Sequence, residues 1–197
     1  PRALPRSPAW RPIFGQSNAA QRHLRNQGVR EGDLFLFFGW FRQVESDGRR
    51  LRYARQAPHR HVLFGWLQVG SARCITAELG RELPWAAYHD HLKRERPHNH
   101  LYVAADRLHL GADTPKLPGA GVFRRYHEAL CLTAPGTSRC VWALPKWFFP
   151  GDGRRALSYP GEPARWERTP RGVLLHTVGR GQEFVLDLED HPEALPW

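Results

Sequence analysis

Two stretches decide the fold: Leu34-Phe35-Leu36-Phe37-Phe38-Gly39-Trp40-Phe41 and His61-Val62-Leu63-Phe64-Gly65-Trp66-Leu67-Gln68-Val69. Each is a near-continuous apolar run of strand length, rich in aromatic and aliphatic side chains and bounded by turn residues. Glu31-Gly32-Asp33 leads into the first, and Gly70 is expected to end the second. Both therefore read as buried strands. They also echo each other, because Phe38-Gly39-Trp40 recurs as Phe64-Gly65-Trp66. A glycine inside a strand marks a bulge or a close approach by another group. The pair is expected to bend alike around one core. A ring or base can then lie against bare backbone beside Trp40 or Trp66.

Working outward, Ser17 is a good N-cap, the residues after it form helices readily, and Gly28 is a natural stop, so a helix is expected at 18–27. Ser46-Asp47-Gly48 turns into a basic edge strand at Arg50 to Arg55. Further on come a short helix near Trp85 to Leu92, a strand at Leu101 to Ala104 and a loop at Pro115 to Gly121. An aromatic strand from Val141 to Leu144 precedes Trp147-Phe148-Phe149, and 150–171 reads as loop. Val173 to Val178 and Phe184 to Leu186 flank Gly179-Arg180-Gly181-Gln182-Glu183 as a hairpin. Residues 1–12 hold four prolines and three arginines and read as an extended basic arm, with 13–197 as a single globular domain. The fold class is α+β and mostly β: a curved mixed or antiparallel sheet or barrel with a few short helices.

The charge narrows the partners. The net charge is +10, carried by 26 Arg against 3 Lys. Such a field draws polyanions, so DNA or a nucleotide is the expected partner. Arginine in particular offers a planar fork for phosphate and a face for stacking on bases. A GC-rich genome accounts for Arg over Lys but not for the excess of basic over acidic residues. No run approaches the ~20 apolar residues of a membrane span, so no membrane is expected. Cys74, Cys131 and Cys140 are odd in number and widely spaced, which points to a reducing, cytoplasmic compartment.

No Walker A, GxGxxG or GxSxG pattern is present, and no cofactor is expected. Histidines come as HxH pairs at 59/61, 89/91 and 98/100. On a strand such a pair shares a face, but no third ligand accompanies it, so no metal site is assigned. The residues of those pairs fit strand-end hydrogen bonding, proton transfer or base contact. Gln16, Ser17 and Asn18 stand where a helix begins, with amide and hydroxyl groups suited to a phosphate or base edge. Trp40 or Trp66 would stack on a base, and Arg139 and Arg180 would hold phosphate, with Gln182 beside them. His61 and Glu183 would serve as acid and base if the fold brings them together. Three readings stay open: a nucleic-acid or nucleotide-binding domain in base modification, an enzyme acting on a nucleotide or base, and a non-catalytic partner-binding subunit.

Several of these stretches carry a resemblance. Phe14-Gly15-Gln16-Ser17-Asn18-Ala19-Ala20-Gln21, Asn26-Gln27-Gly28-Val29, Gly32-Asp33-Leu34-Phe35-Leu36-Phe37-Phe38-Gly39 and His61 to Val69 resemble the nucleotide modification associated domain, third type. So do Leu101-Tyr102-Val103, Gly119-Ala120-Gly121-Val122-Phe123, Leu132-Thr133-Ala134-Pro135-Gly136 and Gly181-Gln182-Glu183-Phe184-Val185. The resemblance runs over nearly the whole chain and implies work alongside DNA-base-modification systems, without fixing an activity. The spacing of Gly32-Asp33, the strand after it and the strand at Val62 to Val69 is also similar to PUA-like and EVE-like barrels, which hold modified bases in a pocket. Gln182-Glu183 before an apolar run is loosely similar to the glutamate motif of ADP-ribosyltransferases, a transferase chemistry.

Overall fold

The computed structural model describes residues 6–111, 116–151, 156–178 and 183–197. Among the described residues there are ten strands: β1 Ile13–Gln16, β2 Leu34–Phe41, β3 Val44–Ser46, β4 Leu51–Tyr53, β5 Arg60–Cys74, β6 His100–Ala104, β7 Ala120–Val122, β8 Val141–Leu144, β9 Trp166–Arg168 and β10 Val173–His176. Among the same residues three α-helices accompany them: α1 Asn18–Asn26, α2 Ala77–Glu82 and α3 Asp90–Lys93. The mostly-β, α+β expectation holds. The described residues group into two compact units, Pro1–Leu36 with Trp66–Val122, and Phe37–Gly65 with Phe123–Trp197.

In the first unit β1 pairs antiparallel with β6, which pairs antiparallel with β5. The apolar run of β5 does not stop at Gly70 as its glycine suggested. The strand continues to Cys74, with a register shift between Val69 and Ser71. Glycine here marks a bulge, where one strand carries an extra residue past its partner. Leu79, Leu101 and Val103 form one core cluster of the unit, with Ile13, Trp85 and Leu92 packed on it. Helix α1 turns Gln21 and Leu24 inward, and the buried Tyr102 hydroxyl donates to Gln21 Oε1 at 3.0 Å. Buried Gln68 clasps two loops: its Nε2 donates to Gly32 O (2.9 Å) and His109 O (2.8 Å), and its Oε1 accepts from His109 N (2.7 Å). Residues 6–12 also make contacts. Trp10 Nε1 donates to Tyr88 Oη at 2.8 Å, Arg11 pairs with Asp106, and Pro12 O accepts from Ala104 N.

In the second unit β8, β10 and β9 make an antiparallel sheet in that order. Its inward residues Trp142, Leu144, Trp166, Val173 and Leu175 join Leu132, Phe148, Ala156 and Leu157 in one core. The β3–β4 hairpin turns at Asp47, whose Oδ1 accepts from the backbone of Arg49 and Arg50. Those two bonds also hold the Asp47 carboxyl below its usual pKa range.

Further expectations are corrected. First, Val173 to Val178 and Phe184 to Leu186 are not a hairpin. Strand β10 takes β8 and β9 as partners, while Val185 exchanges hydrogen bonds with Ser158 through backbone and hydroxyl groups. A short apolar run needs an edge to pair with, and the nearest one in sequence need not supply it. Second, the 150–171 stretch contains β9, whose charged Glu167 and Arg168 hid the single buried Trp166 that anchors it. Third, the run at Leu34–Phe41 is a strand but not a fully buried one, since Leu36, Trp40 and Phe41 are exposed. The expected helix near Trp85 is a 3-10 turn at Pro84–Ala86 followed by the short α3.

Candidate nucleic-acid interface

The second unit holds four of the residues singled out in the sequence: Trp40, His61, Arg139 and Glu183. Phe38 and Trp40 lie two apart on β2 and so share a face. Phe38 turns into the core against Trp142 and His61, with ring centroids 5.0 and 5.4 Å away. Trp40, one step further out, is 60% exposed. Its indole N–H donates to His59 Nδ1 at 2.7 Å, and the Arg139 guanidinium lies over its ring at 4.2 Å. Among the described residues Arg139 makes no ion pair, and its Nε is buried without a hydrogen-bond partner.

His61 sits beneath this surface, 5% exposed. Its Nδ1 accepts from Trp142 Nε1 at 3.0 Å, so the neutral ring carries its proton on Nε2. Its backbone N–H donates to the Thr133 hydroxyl (2.8 Å), which in turn donates to Arg139 O (3.1 Å). Burial first, and then the Arg139 charge, push the His61 pKa down. Glu183 belongs to the same unit. Its backbone N–H donates to Tyr159 Oη at 3.1 Å, and burial, with the Glu183 charge, pushes the Tyr159 pKa up. The next residue, Phe184, packs on Trp142, Phe38 and Tyr159. A shallow depression of about 230 Å³ lies nearby in sequence, lined by Tyr159, Pro160, Glu162, Arg165 and Thr177.

The arrangement at Trp40 repeats. Arg42 lies over Tyr53 at 5.3 Å and Arg60 over Tyr126 at 5.7 Å. Tyr53 and Tyr126 are 65% and 51% exposed. Three exposed rings in one unit thus each carry a guanidinium. Sequence reasoning missed the second and third pairs, although aromatic and arginine residues interleave over 40–60, where Arg42 and Tyr53 lie. The other face of β2 is aromatic too. Phe41 and Phe64 lie 5.8 Å apart by centroid, and a side chain at Gly39 would meet both rings. The close approach inferred for Gly39 is therefore real, and the chain's own rings make it.

Gln16, Ser17, Asn18 and Trp66 belong to the first unit. Asn18 opens α1 with φ at 59°, a left-handed conformation that asparagine tolerates. Ser17 is buried and makes no side-chain cap; its hydroxyl accepts from Asn18 Nδ2 at 3.1 Å. Gln16 Oε1 accepts from Ser17 N at 3.0 Å. Trp66 packs its ring on Gly121 and donates to Pro118 O at 3.1 Å, so its own loop already occupies part of the stacking surface. Arg180 and Gln182 lie outside the described residues. Among the described residues no three His, Cys, Asp or Glu side chains converge as metal ligands, and no helix is long and apolar enough to cross a membrane.

No curated protein and no solved structure matches the chain. One family model does, over residues 1–187 of 197, and its description connects the chain with nucleotide modification. Over almost its whole length the chain is thus a member of the nucleotide modification associated domain 3 family.

Proposed function

We propose that the chain binds nucleic acid or nucleotides in the service of base modification, through the arginine-backed aromatic surface of its second unit. The observation that carries this reading is Trp40 with Arg139: a 60% exposed indole under a guanidinium that has no acidic partner among the described residues. Bases stack on exposed aromatic rings whatever their sequence, and an unpaired arginine beside the ring meets the phosphate. Tyr53 with Arg42 extends the same chemistry to a further nucleotide, while at Tyr126 the Arg60 guanidinium is already engaged by Glu128 (3.5 Å) and the Tyr126 hydroxyl (2.6 Å), leaving the exposed ring itself for stacking. His61 supports the platform from below, with Nδ1 committed to Trp142 and its backbone N–H bonded to the Thr133 hydroxyl, which donates to Arg139 O in the turn before β8. Gln16-Ser17-Asn18 in the first unit offers amide groups to a phosphate or base edge.

The test is fluorescence anisotropy of labelled single-stranded and duplex oligonucleotides against salt. Trp40→Ala is expected to weaken single-strand binding by about 1–3 kcal/mol, roughly 5- to 150-fold. Arg139→Ala is expected to weaken it as well and to lower the salt slope by about 0.7. Absent binding, salt-independent binding, or variants that bind as tightly as the parent would overturn the reading.

A further inference from the structure

The first unit contains a histidine pair that the nucleic-acid reading does not use. His89 caps α3, and its Nδ1 accepts from His91 N at 3.4 Å. His91 Nδ1 lies 2.6 Å from Asn99 Oδ1. Asn99 is 6% exposed, and its Nδ2 donates to His91 O (2.8 Å) and Arg94 O (3.3 Å). Two carbonyl acceptors fix the amide, so the atom facing His91 is the oxygen. An amide oxygen only accepts, hence His91 carries its proton on Nδ1 and presents a lone pair at Nε2. His89 is the opposite tautomer: Nδ1 accepts, so Nε2 carries the proton. The two rings lie 5.5 Å apart by centroid, one offering a proton acceptor and its neighbour a donor.

Strand β1 delivers bare backbone to both rings. A Cβ at Gly15 would stand 2.6 Å from His89 Cε1 and from His91 Cγ and Cδ2. The register sets Gln16 opposite His100, and Asn18 N–H donates to Pro97 O at 2.8 Å, so buried Ser17 falls opposite Asn99. Burial first, then repulsion from His91 when it is protonated, lowers the His89 pKa, with Asp90 opposing and Lys93 adding to the shift. A neutral imidazole N–H is a hydrogen-bond donor rather than a strong acid. That combination suits acyl transfer. In-line displacement at phosphorus wants its base and acid on opposite sides. Acyl transfer lets one histidine take a proton and return it on the same side, with a neutral donor beside it for the oxyanion.

We propose that His91, positioned by Asn99 and flanked by His89, forms an acid–base centre that hydrolyses an acyl compound, an ester or amide. A water oxygen bonds to the carbonyl carbon while its proton passes to His91 Nε2. The carbonyl π electrons move onto oxygen, which accepts a hydrogen bond from His89 Nε2–H. The tetrahedral intermediate collapses, the C–O or C–N bond breaks, and the alcohol or amine leaves with that electron pair and the proton from His91. His91 and His89 are the catalytic residues, and Asn99 is a positioning residue. The centre lies in a different unit from the aromatic surface and does not depend on it.

The probe is p-nitrophenyl acetate with the full chain, compared with free imidazole at equal concentration. The parent is expected to exceed imidazole, and His91→Gln to fall by about 100-fold or more in kcat/KM, with unchanged circular dichroism. His89→Gln is expected to lower kcat while leaving KM nearly unchanged. Asn99→Ala is expected to shift the pH profile of kcat/KM, because the Nδ1–H is no longer held, with ¹⁵N imidazole spectra reporting loss of the fixed His91 tautomer. If Asn99→Ala does not fold, the two histidine variants decide. A parent no faster than imidazole, a His91→Gln variant as fast as the parent, or a His91 proton found on Nε2 would overturn the proposal.

Discussion

Replacing Gln68 by leucine tests how the first unit holds its long strand to the loops around it. Gln68 is 5% exposed and makes three hydrogen bonds, at 2.9, 2.8 and 2.7 Å, to Gly32 O, His109 O and His109 N. Leucine is close to it in volume, so the change removes polar partners without opening a cavity. Each bond contributes about 1 kcal/mol net, which sets an upper figure of about 3 kcal/mol. Gly32 and His109 are exposed residues, so their freed groups can recover water, and the amide of Gln68 no longer has to be desolvated. The expected loss is therefore about 2 kcal/mol. With a urea slope of about 2 kcal/mol/M, the unfolding midpoint should fall by about 1 M. Gln68→Glu should do worse than leucine, since a carboxylate would face two carbonyl oxygens. Urea denaturation followed by circular dichroism reads both. A leucine variant with an unchanged midpoint, or a glutamate variant as stable as the parent, would show that the clasp carries no stability.

The remaining predictions concern a buried histidine and a tryptophan. The His61 pKa is depressed in the folded chain, so protonation favours the unfolded state. Its stabilising contribution is complete above the ordinary histidine pKa of about 6.5 and is lost as pH falls from there toward the folded value. Stability should drop with a slope of up to about 1.4 kcal/mol per pH unit from this group. Trp142→Phe removes the donor that holds neutral His61, so urea midpoints measured across that window should show lower stability overall and a shallower dependence. An equal slope in parent and variant would count against the assignment. Gly121→Ala places a methyl group into the Trp66 indole, and should break its bond to Pro118 O and shift tryptophan emission; an unchanged spectrum and midpoint would refute the close approach.

Much of the fold was legible because its signals are local. The apolar runs at 34–41 and 61–69, the Ser17 to Gly28 helix limits and the Ser46-Asp47-Gly48 turn each lie within a few residues of the element they specify. The misses have the same cause in reverse. Strand β9 owes its place to Trp166 in a core assembled from residues far along the chain, and Phe184 to Leu186 found Ser158 rather than β10. The candidate sites divide likewise. Trp40 and Arg139 were each nameable from residue type, but their stacking joins positions 99 apart in the chain (139 − 40). His89, His91 and Asn99 were visible only as letters in HxH patterns.

By itself the sequence determined the basic, arginine-dominated charge, the mostly-β class and the family resemblance, because composition and short-range periodicity are properties of the chain. Tertiary structure decided which tryptophan is exposed under a guanidinium and which is spent on its own loop, and which histidine nitrogen carries a proton. Those depend on burial and on hydrogen-bond partners from distant strands, such as Trp142 on His61 and Asn99 on His91. A side chain's chemistry is set by what surrounds it, and only folding brings the surroundings together.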